Sequence, residues 1–130
     1  MQRPASESVT EMTQMVMPND TNPRGTVFGG RVLEWIDVCG AMCASRHSRC
    51  QVVTAKLAEM SFLSPIKLGH FVILTATVAS AGRTSMNVTV RVESEDPITG
   101  RRKPCSTAEL TYVALDADGM PVEVPRLKVD

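Results

Sequence analysis

One stretch of the chain repeats with the period of a helix. Between Arg31 and about His47, the apolar residues Val32, Trp35, Ile36, Cys39, Met42 and Cys43 recur at the i, i+3, i+4, i+7 spacing of an amphipathic helix. A second stripe beside it carries Gly30, Leu33, Glu34, Asp37, Gly40, Ala41 and Ala44, which is small and partly acidic. Asp37 follows Gly30 by about two turns, so both fall on one side of the predicted helix. Arg46 and His47 at its end suit the negative pole of the helix dipole.

The remaining segments alternate or run apolar in the manner of strands. Met12 to Met17 predicts a short strand stopped by Pro18, and the stretch from Pro18 to Gly30, rich in proline, asparagine and glycine, predicts a long loop. Gln51 to Phe62, Phe71 to Ala79, Met86 to Glu93 and Arg101 to Leu115 predict four further strands. The third of these is the clearest, with Met86, Val88, Val90 and Val92 on one face and Asn87, Thr89, Arg91 and Glu93 on the other. Short turns between consecutive strands imply an antiparallel sheet, hence an α+β fold. A single helix covers only one face of such a sheet. The other face or an edge is therefore expected to be buried by another subunit. Residues 1–11 are expected to be a loose tail, 12–127 one domain, and 128–130 a short terminal tail.

Composition narrows the function classes. Fourteen basic and fourteen acidic residues balance, and there are only five aromatics, which argues against a nucleic-acid binder. No apolar run reaches about 18 residues, so no membrane-spanning helix is expected, nor does a secretory leader appear at the start. Cys39, Cys43, Cys50 and Cys105 form no C-x-x-C pair, and with only His47 and His70 beside them no metal site is expected. They read as reduced thiols, and the location as cytoplasmic.

Three places could carry chemistry. The first is Phe28-Gly29-Gly30 at the helix start, with Asp37 two turns on. Unpaired N–H groups there, approached closely through the glycines, can hold a carbonyl oxygen as it becomes an oxyanion, and a carboxylate on the same face could serve the adjoining carbon. A tight turn and a solvated carboxylate fit the same residues, and Glu34 is a rival acid one turn nearer. The second is the loop trio Asn19, Asp20 and Asn22, which can orient water or simply cap turns. The third is Gly82-Arg83-Thr84-Ser85, equally a phosphate contact or a hairpin turn. There is no nucleophile elbow, Walker loop or dinucleotide fingerprint.

The stretch MPNDTNPRGTVFGGRVLEWID (Met17 to Asp37) resembles the hotdog-fold acyl-CoA thioester hydrolase family, and within it the small bacterial thioesterases related to brain acyl-CoA hydrolase. Arg46-His47, VVTA (Val52 to Ala55), FLSPIKLGH (Phe62 to His70), GRTSM (Gly82 to Met86) and the run from Thr111 to Leu127 match in the same order, so the resemblance spans nearly the whole chain. It implies an antiparallel sheet wrapped around one long central helix. It implies hydrolysis of acyl-CoA to a carboxylic acid and coenzyme A. The helix carboxylate would be Asp37, acting as general base or nucleophile, the loop asparagine Asn22, and the oxyanion donor the Gly30 N–H. Phe28 and Gly29 would line the substrate, while Arg83, Thr84 and Ser85 would lie near the coenzyme A arm. It further implies sites shared between protomers, dimers assembled into hexamers, and no cofactor. Two positions depart from the pattern: Phe28 stands where many relatives have histidine, and Glu109 stands in a strand position where an apolar residue is expected. Hotdog domains also serve as non-catalytic acyl-CoA-binding modules and as dehydratases, so the fold alone does not decide the activity.

Overall fold

The computed structural model describes residues 1–62 and 64–129, the side chains of residues 59 and 62 excepted. Leu63, part of the 62–70 block, and Asp130, part of the expected terminal tail, lie outside the described residues. The elements run β1 (Gln2–Pro4), a 3-10 turn (Ala5–Glu7), β2 (Thr10–Met15), a second 3-10 turn (Pro18–Asp20), α1 (Gly29–Ser48), β3 (Gln51–Phe62), β4 (Phe71–Ala81), β5 (Ser85–Glu95), β6 (Arg102–Leu115) and β7 (Arg126–Lys128). Five strands form one antiparallel sheet in the order β2-β4-β5-β6-β3, and its curved inner face packs on α1. This is the hotdog arrangement.

Alternation explains how the sheet grips the helix. Val72, Leu74, Ala76 and Val78 of β4, Met86, Val88, Val90 and Val92 of β5, and Ala108, Leu110, Tyr112 and Ala114 of β6 are all buried. They meet Val32, Ile36, Cys39 and Cys43 of the predicted apolar stripe, and Ala44 of the second stripe. Each large aliphatic side chain sealed this way contributes about 1.5–3 kcal/mol. The opposite face carries Thr75, Thr77, Thr89, Arg91, Thr107 and Thr111. Glu109 belongs to that outer face and is exposed, since its neighbours Ala108 and Leu110 take the inward positions.

β3 differs from its neighbours. It is an edge strand, and its register against β6 slips between Thr54 and Lys56 and again between Leu57 and Glu59. Bulges of this kind bend a strand and re-aim its side chains. Val53 and Leu57 on it are exposed at 47% and 41%.

The first eleven residues are not a loose tail. β1 pairs in parallel with β7, Arg3 donates to the backbone carbonyls of Arg46 and His47, and Ser8 and Thr10 are buried. Lys128, expected in the other tail, is the last residue of β7. The reason is the end of α1, whose last carbonyls need donors. Arg3 supplies them, and the segment around Pro125 closes over His47, whose Nε2 lies 2.8 Å from the Pro125 carbonyl oxygen. His47 is thus a buried clasp rather than a solvated end charge, while Arg46 reaches Thr10 Oγ1 at 3.1 Å. Arg49 ends the helix in the left-handed conformation (φ 58°).

Candidate active site

The long loop before α1 is tied by its own side chains. Asp20 accepts the Met17 N–H at 2.9 Å and pairs with Arg31 at 3.1 Å. Asn22 Oδ1 accepts the N–H groups of Arg24 and Thr26, and Asn22 Nδ2 donates to Thr26 Oγ1 at 3.0 Å. Gly25 completes this turn at φ 78°, a conformation that favours glycine. Asn22 is therefore a turn former, with one amide hydrogen to spare. The loop then leans on the β3–β4 connection through Val27 N–H to the Ile66 carbonyl and Leu68 N–H to the Gly25 carbonyl, both at 2.9 Å.

The helix begins at Gly29, two residues before the predicted start at Arg31. Phe28 is half exposed at the N-cap, and its carbonyl accepts from Arg31 and Val32. The N–H groups of Gly29 and Gly30 find no acceptor among the described residues. A Cβ placed on Gly30 would meet nothing within 4 Å, and no left-handed φ requires glycine there. Open space faces Gly30 at the positive end of a 20-residue helix whose first two N–H groups have no acceptor among the described residues.

Two turns on, half-buried Asp37 is held by two residues that sequence reasoning did not assign. Its Oδ1 accepts Thr54 Oγ1 at 2.7 Å and Tyr112 Oη at 3.0 Å, and the same Oη lies 2.9 Å from the Asp37 carbonyl oxygen. Asp37 Oδ2 carries no hydrogen bond among the described residues. Burial pushes the Tyr112 hydroxyl well above the usual phenol range, with the Asp37 charge and hydrogen bond acting in the same direction, so it stays a donor. Gly40 makes this possible: the Tyr112 hydroxyl and ring occupy the space a side chain would need. Glu34, the rival acid, is exposed and paired with Arg31 at 3.0 Å.

The other expected site residues do not join this cluster within one chain. No hydrogen bond connects Asn22, or the Gly82–Ser85 segment, to Asp37 or to the helix start among the described residues. Gly82 to Ser85 is the hairpin turn between β4 and β5, closed by Gly82 N–H to the Ser85 carbonyl at 2.8 Å. Arg83 extends from it at the surface, 3.5 Å from Glu123, beside a cleft of about 630 Å³ that Arg126 also lines. Thr54 and Tyr112 had weak signals: Thr54 lies in VVTA, and Tyr112 is the single tyrosine, placed on the inward face of β6 opposite the helix stripe that carries Asp37 and Gly40.

Residues 24–100 match the thioesterase superfamily. The chain belongs to that family. The thioesterase is 42% identical over 121 residues to an uncharacterized acyl-CoA thioester hydrolase of Bacillus subtilis, covering 93% of this chain and 70% of the other. An acyl-CoA hydrolase from Staphylococcus aureus, solved with butyryl coenzyme A, coenzyme A and coenzyme A disulfide, superimposes with a TM-score of 0.95 at 36% identity, covering 100% of this chain and 79% of that one. The S. aureus enzyme has also been solved as separate alanine variants of an aspartate, a threonine and an asparagine. A hexameric acyl-CoA thioesterase gives a TM-score of 0.97 at 40% identity, covering 100% of this thioesterase and 83% of its own chain.

Proposed function

We propose that this thioesterase hydrolyses acyl-CoA, with Asp37 as the reacting carboxylate. The observation that carries the reading is the division of labour at that side chain. Thr54 and Tyr112 fix one oxygen, and the other has no partner among the described residues, on the helix whose Gly29 and Gly30 N–H groups likewise have none there. In the S. aureus hydrolase the replaced asparagine precedes the replaced aspartate by fifteen residues, and the threonine follows it by seventeen. Asn22, Asp37 and Thr54 stand at the same separations. This supports assigning the three to one site.

The thioester carbonyl oxygen docks at the Gly30 N–H, where charge develops. Asp37 Oδ2 either takes a proton from the attacking water or attacks the carbonyl carbon itself. In the first route water adds to the carbonyl carbon as Asp37 takes its proton, the C–S bond breaks, coenzyme A leaves as the thiolate and gains that proton, and water supplies the oxygen of the product acid. In the second an Asp37–acyl anhydride forms as the C–S bond breaks, and water opens it at the aspartyl carbon, so the acid keeps the Asp37 oxygen, the water oxygen enters Asp37, and a proton of that water goes to the thiolate. Asn22 orients the water or the thioester with its spare amide hydrogen. Phe28 and Gly29 border the acyl group, and Arg83, Thr84 and Ser85 take the phosphate-bearing arm. The reaction needs no cofactor, since a carboxylate and backbone donors supply its acid–base and charge-stabilising groups.

The active assembly is a homo-oligomer built from dimers, a hexamer by likeness to the hexameric relative. The unpaired edge and exposed apolar residues of β3 support the dimer contact. No described helix is long and apolar enough to cross a membrane. A cytoplasmic setting accords with four unpaired cysteines.

Incubation with acyl-CoA and a thiol-trapping dye tests the reading. Turnover releases one thiol per substrate; a binding module shows saturable binding and no thiol. Single-turnover hydrolysis in oxygen-18 water separates the two routes, since direct attack first places a protein oxygen in the product.

A further inference from the structure

The β3–β4 connection and the β5–β6 turn border a cleft of about 220 Å³ that the reaction above does not use. Lys67 and His70 line it from the connection, Asp96, Arg101 and Lys103 from the turn and its flanks, and buried Ser94 from β5. Lys103 stands opposite Ser94 in register, so both side chains leave one face of the sheet. Lys67, Arg101 and Lys103 are exposed, and none makes an ion pair among the described residues. Arg102, between two of them in sequence, is instead taken up by Glu95 at 2.8 Å.

Both walls are held by their own hydrogen bonds. The His70 N–H donates to the Lys67 carbonyl at 3.0 Å, and the Gly69 N–H donates to the Val16 carbonyl at 2.9 Å. Across the cleft, the Asp96 N–H donates to the Arg101 carbonyl at 2.9 Å, and Asp96 Oδ1 accepts the N–H groups of Ile98 and Thr99. The Ile98 N–H chiefly, then Thr99, His70 and Lys67, hold the Asp96 carboxyl below its usual range, so the charges of one wall are felt at the other. Three cations thus face one ionised carboxylate. With His70 counted as neutral, the cleft keeps a surplus of two positive charges in a chain whose net charge is zero.

We infer that this cleft binds a phosphate monoester group. Charge decides the class: a phosphate monoester carries about −1.5 to −2 at pH 7 and cancels the surplus, whereas a carboxylate or a phosphodiester leaves half of it. The donors agree, since a guanidinium fork and two mobile ammonium groups suit three phosphate oxygens. Size limits what enters, because pockets that enclose a whole drug-sized ligand run to about 300–1,000 Å³. The phosphate is therefore held and the rest of its bearer lies outside. Two sources share this chemistry: the monoester phosphate at the end of the coenzyme A arm, and a separate phosphorylated metabolite.

Calorimetric titration with inorganic phosphate, and with acetate at equal ionic strength, tests the site without reference to turnover. Phosphate should bind the wild type at least about tenfold more tightly than acetate, and the Arg101→Gln/Lys103→Gln double variant should lose about tenfold or more of that affinity. Arg102→Gln, which removes a cation already paired, should bind phosphate as the wild type does, and all three proteins should melt alike. Phosphate binding no tighter than acetate, binding unchanged in the double variant, or an equal loss in Arg102→Gln each overturns the inference; the last would mark a general effect of surface charge. Titration with coenzyme A and with its analogue lacking the monoester phosphate then separates the sources. A loss in the double variant confined to coenzyme A assigns the site to the substrate's phosphate. Unchanged affinity for both, beside lost phosphate binding, assigns it to a separate molecule. Both results uphold the site.

Discussion

The Tyr112 hydroxyl bridges two oxygens of a single residue, lying 2.9 Å from the Asp37 carbonyl and 3.0 Å from Asp37 Oδ1. One donor thus ties the carboxylate to the helix backbone that carries it. Thr54 grips the same Oδ1 from the opposite strand of the sheet, directly across from Tyr112 in register. The rotamer of Asp37 is therefore set before any substrate arrives, and the carboxylate keeps one oxygen for chemistry. Preorganisation of this kind removes reorganisation from the reaction step.

Replacing Asp37 by alanine or asparagine is expected to lower kcat by about 10²–10⁴, the usual contribution of a positioned acid–base group. Asp37→Asn keeps an Oδ1 acceptor and should melt close to wild type, whereas Asp37→Ala also loses the Thr54 and Tyr112 hydrogen bonds and should melt lower, with the oligomeric state unchanged in both. Near-normal turnover of purified Asp37→Ala would refute the assignment.

Tyr112→Phe keeps the ring and deletes the bridge. Loss of a hydrogen bond to a charged group predicts destabilisation of about 1.5–3 kcal/mol, measured by urea unfolding. The loosened carboxylate predicts a fall in kcat on the order of tenfold, with KM less affected. Thr54→Ser retains the donor and should retain most activity, whereas Thr54→Val should not. An equal loss in both Thr54 variants would show that the methyl group, rather than the hydroxyl, is what matters.

Gly40→Ala sets a new methyl group against the Tyr112 hydroxyl, with two ring carbons at 3.0 Å. Overpacking of this kind costs about 1–3 kcal/mol. Combining it with Tyr112→Phe removes the worst collision but not the ring contacts. The double variant should therefore be less destabilised than the sum of the singles, a coupling that a double-mutant cycle reads directly.

The central helix and the long strands were legible because each buries one face and so keeps a strict period. β5 shows it best, with four inward residues against four outward ones. β1 and β7 were not legible: three residues each, polar or proline-containing, they pair across nearly the whole chain and leave no local pattern. Asp37 was singled out by the helix stripe and by the resemblance; loop chemistry marked Asn22 as a turn former, which it is, and only the resemblance gave it a role at the site. Thr54 was hidden by the bulges in β3, which break the alternation just where that side chain turns toward the helix. Tyr112 was hidden by its burial, since an inward aromatic on a strand reads first as core. Only its pairing with Gly40, a small residue on the facing helix stripe, distinguishes it.

Alkaline pH should unfold the protein earlier than the acidic and basic surface groups alone would require. Burial, aided by neighbouring Cys43, pushes Cys39 up from 9.0 to about 11, and Tyr112 rises above its ordinary 10.0 chiefly through burial. Both groups are neutral in the fold. Above pH 9 for the thiol and pH 10 for the phenol, the unfolded chain releases protons that the folded chain keeps. Stability is therefore full below pH 9 and falls as pH rises beyond it, by at most about 1.4 kcal/mol per unit for each group. Urea midpoints at pH 8, 9.5 and 10.5 should decline in that order, and Tyr112→Phe should flatten the last step. Constant midpoints would contradict the burial of both groups.

The last prediction concerns which chains build one site. Asn22 and Asp37 stand fifteen residues apart, yet no hydrogen bond joins the loop to the carboxylate within one chain among the described residues. The edge strand β3, which carries Thr54 beside Asp37, exposes Val53 and Leu57 to a neighbour. If a dimer forms across that edge, the loop of one protomer can complete the Asp37 site of its partner. Asn22→Ala and Asp37→Ala chains, each nearly inactive alone, should then regain activity when mixed. Every heterodimer holds one site with both residues intact and one with both lost, so random mixing at equal amounts restores about a quarter of wild-type activity per chain, from the half of dimers that are mixed. If both residues served the same chain's site, each site would carry one lesion and mixing would restore nothing. Subunit exchange verified by mass spectrometry, without recovered turnover, would sink the shared site and leave Asp37 as the reacting carboxylate untouched.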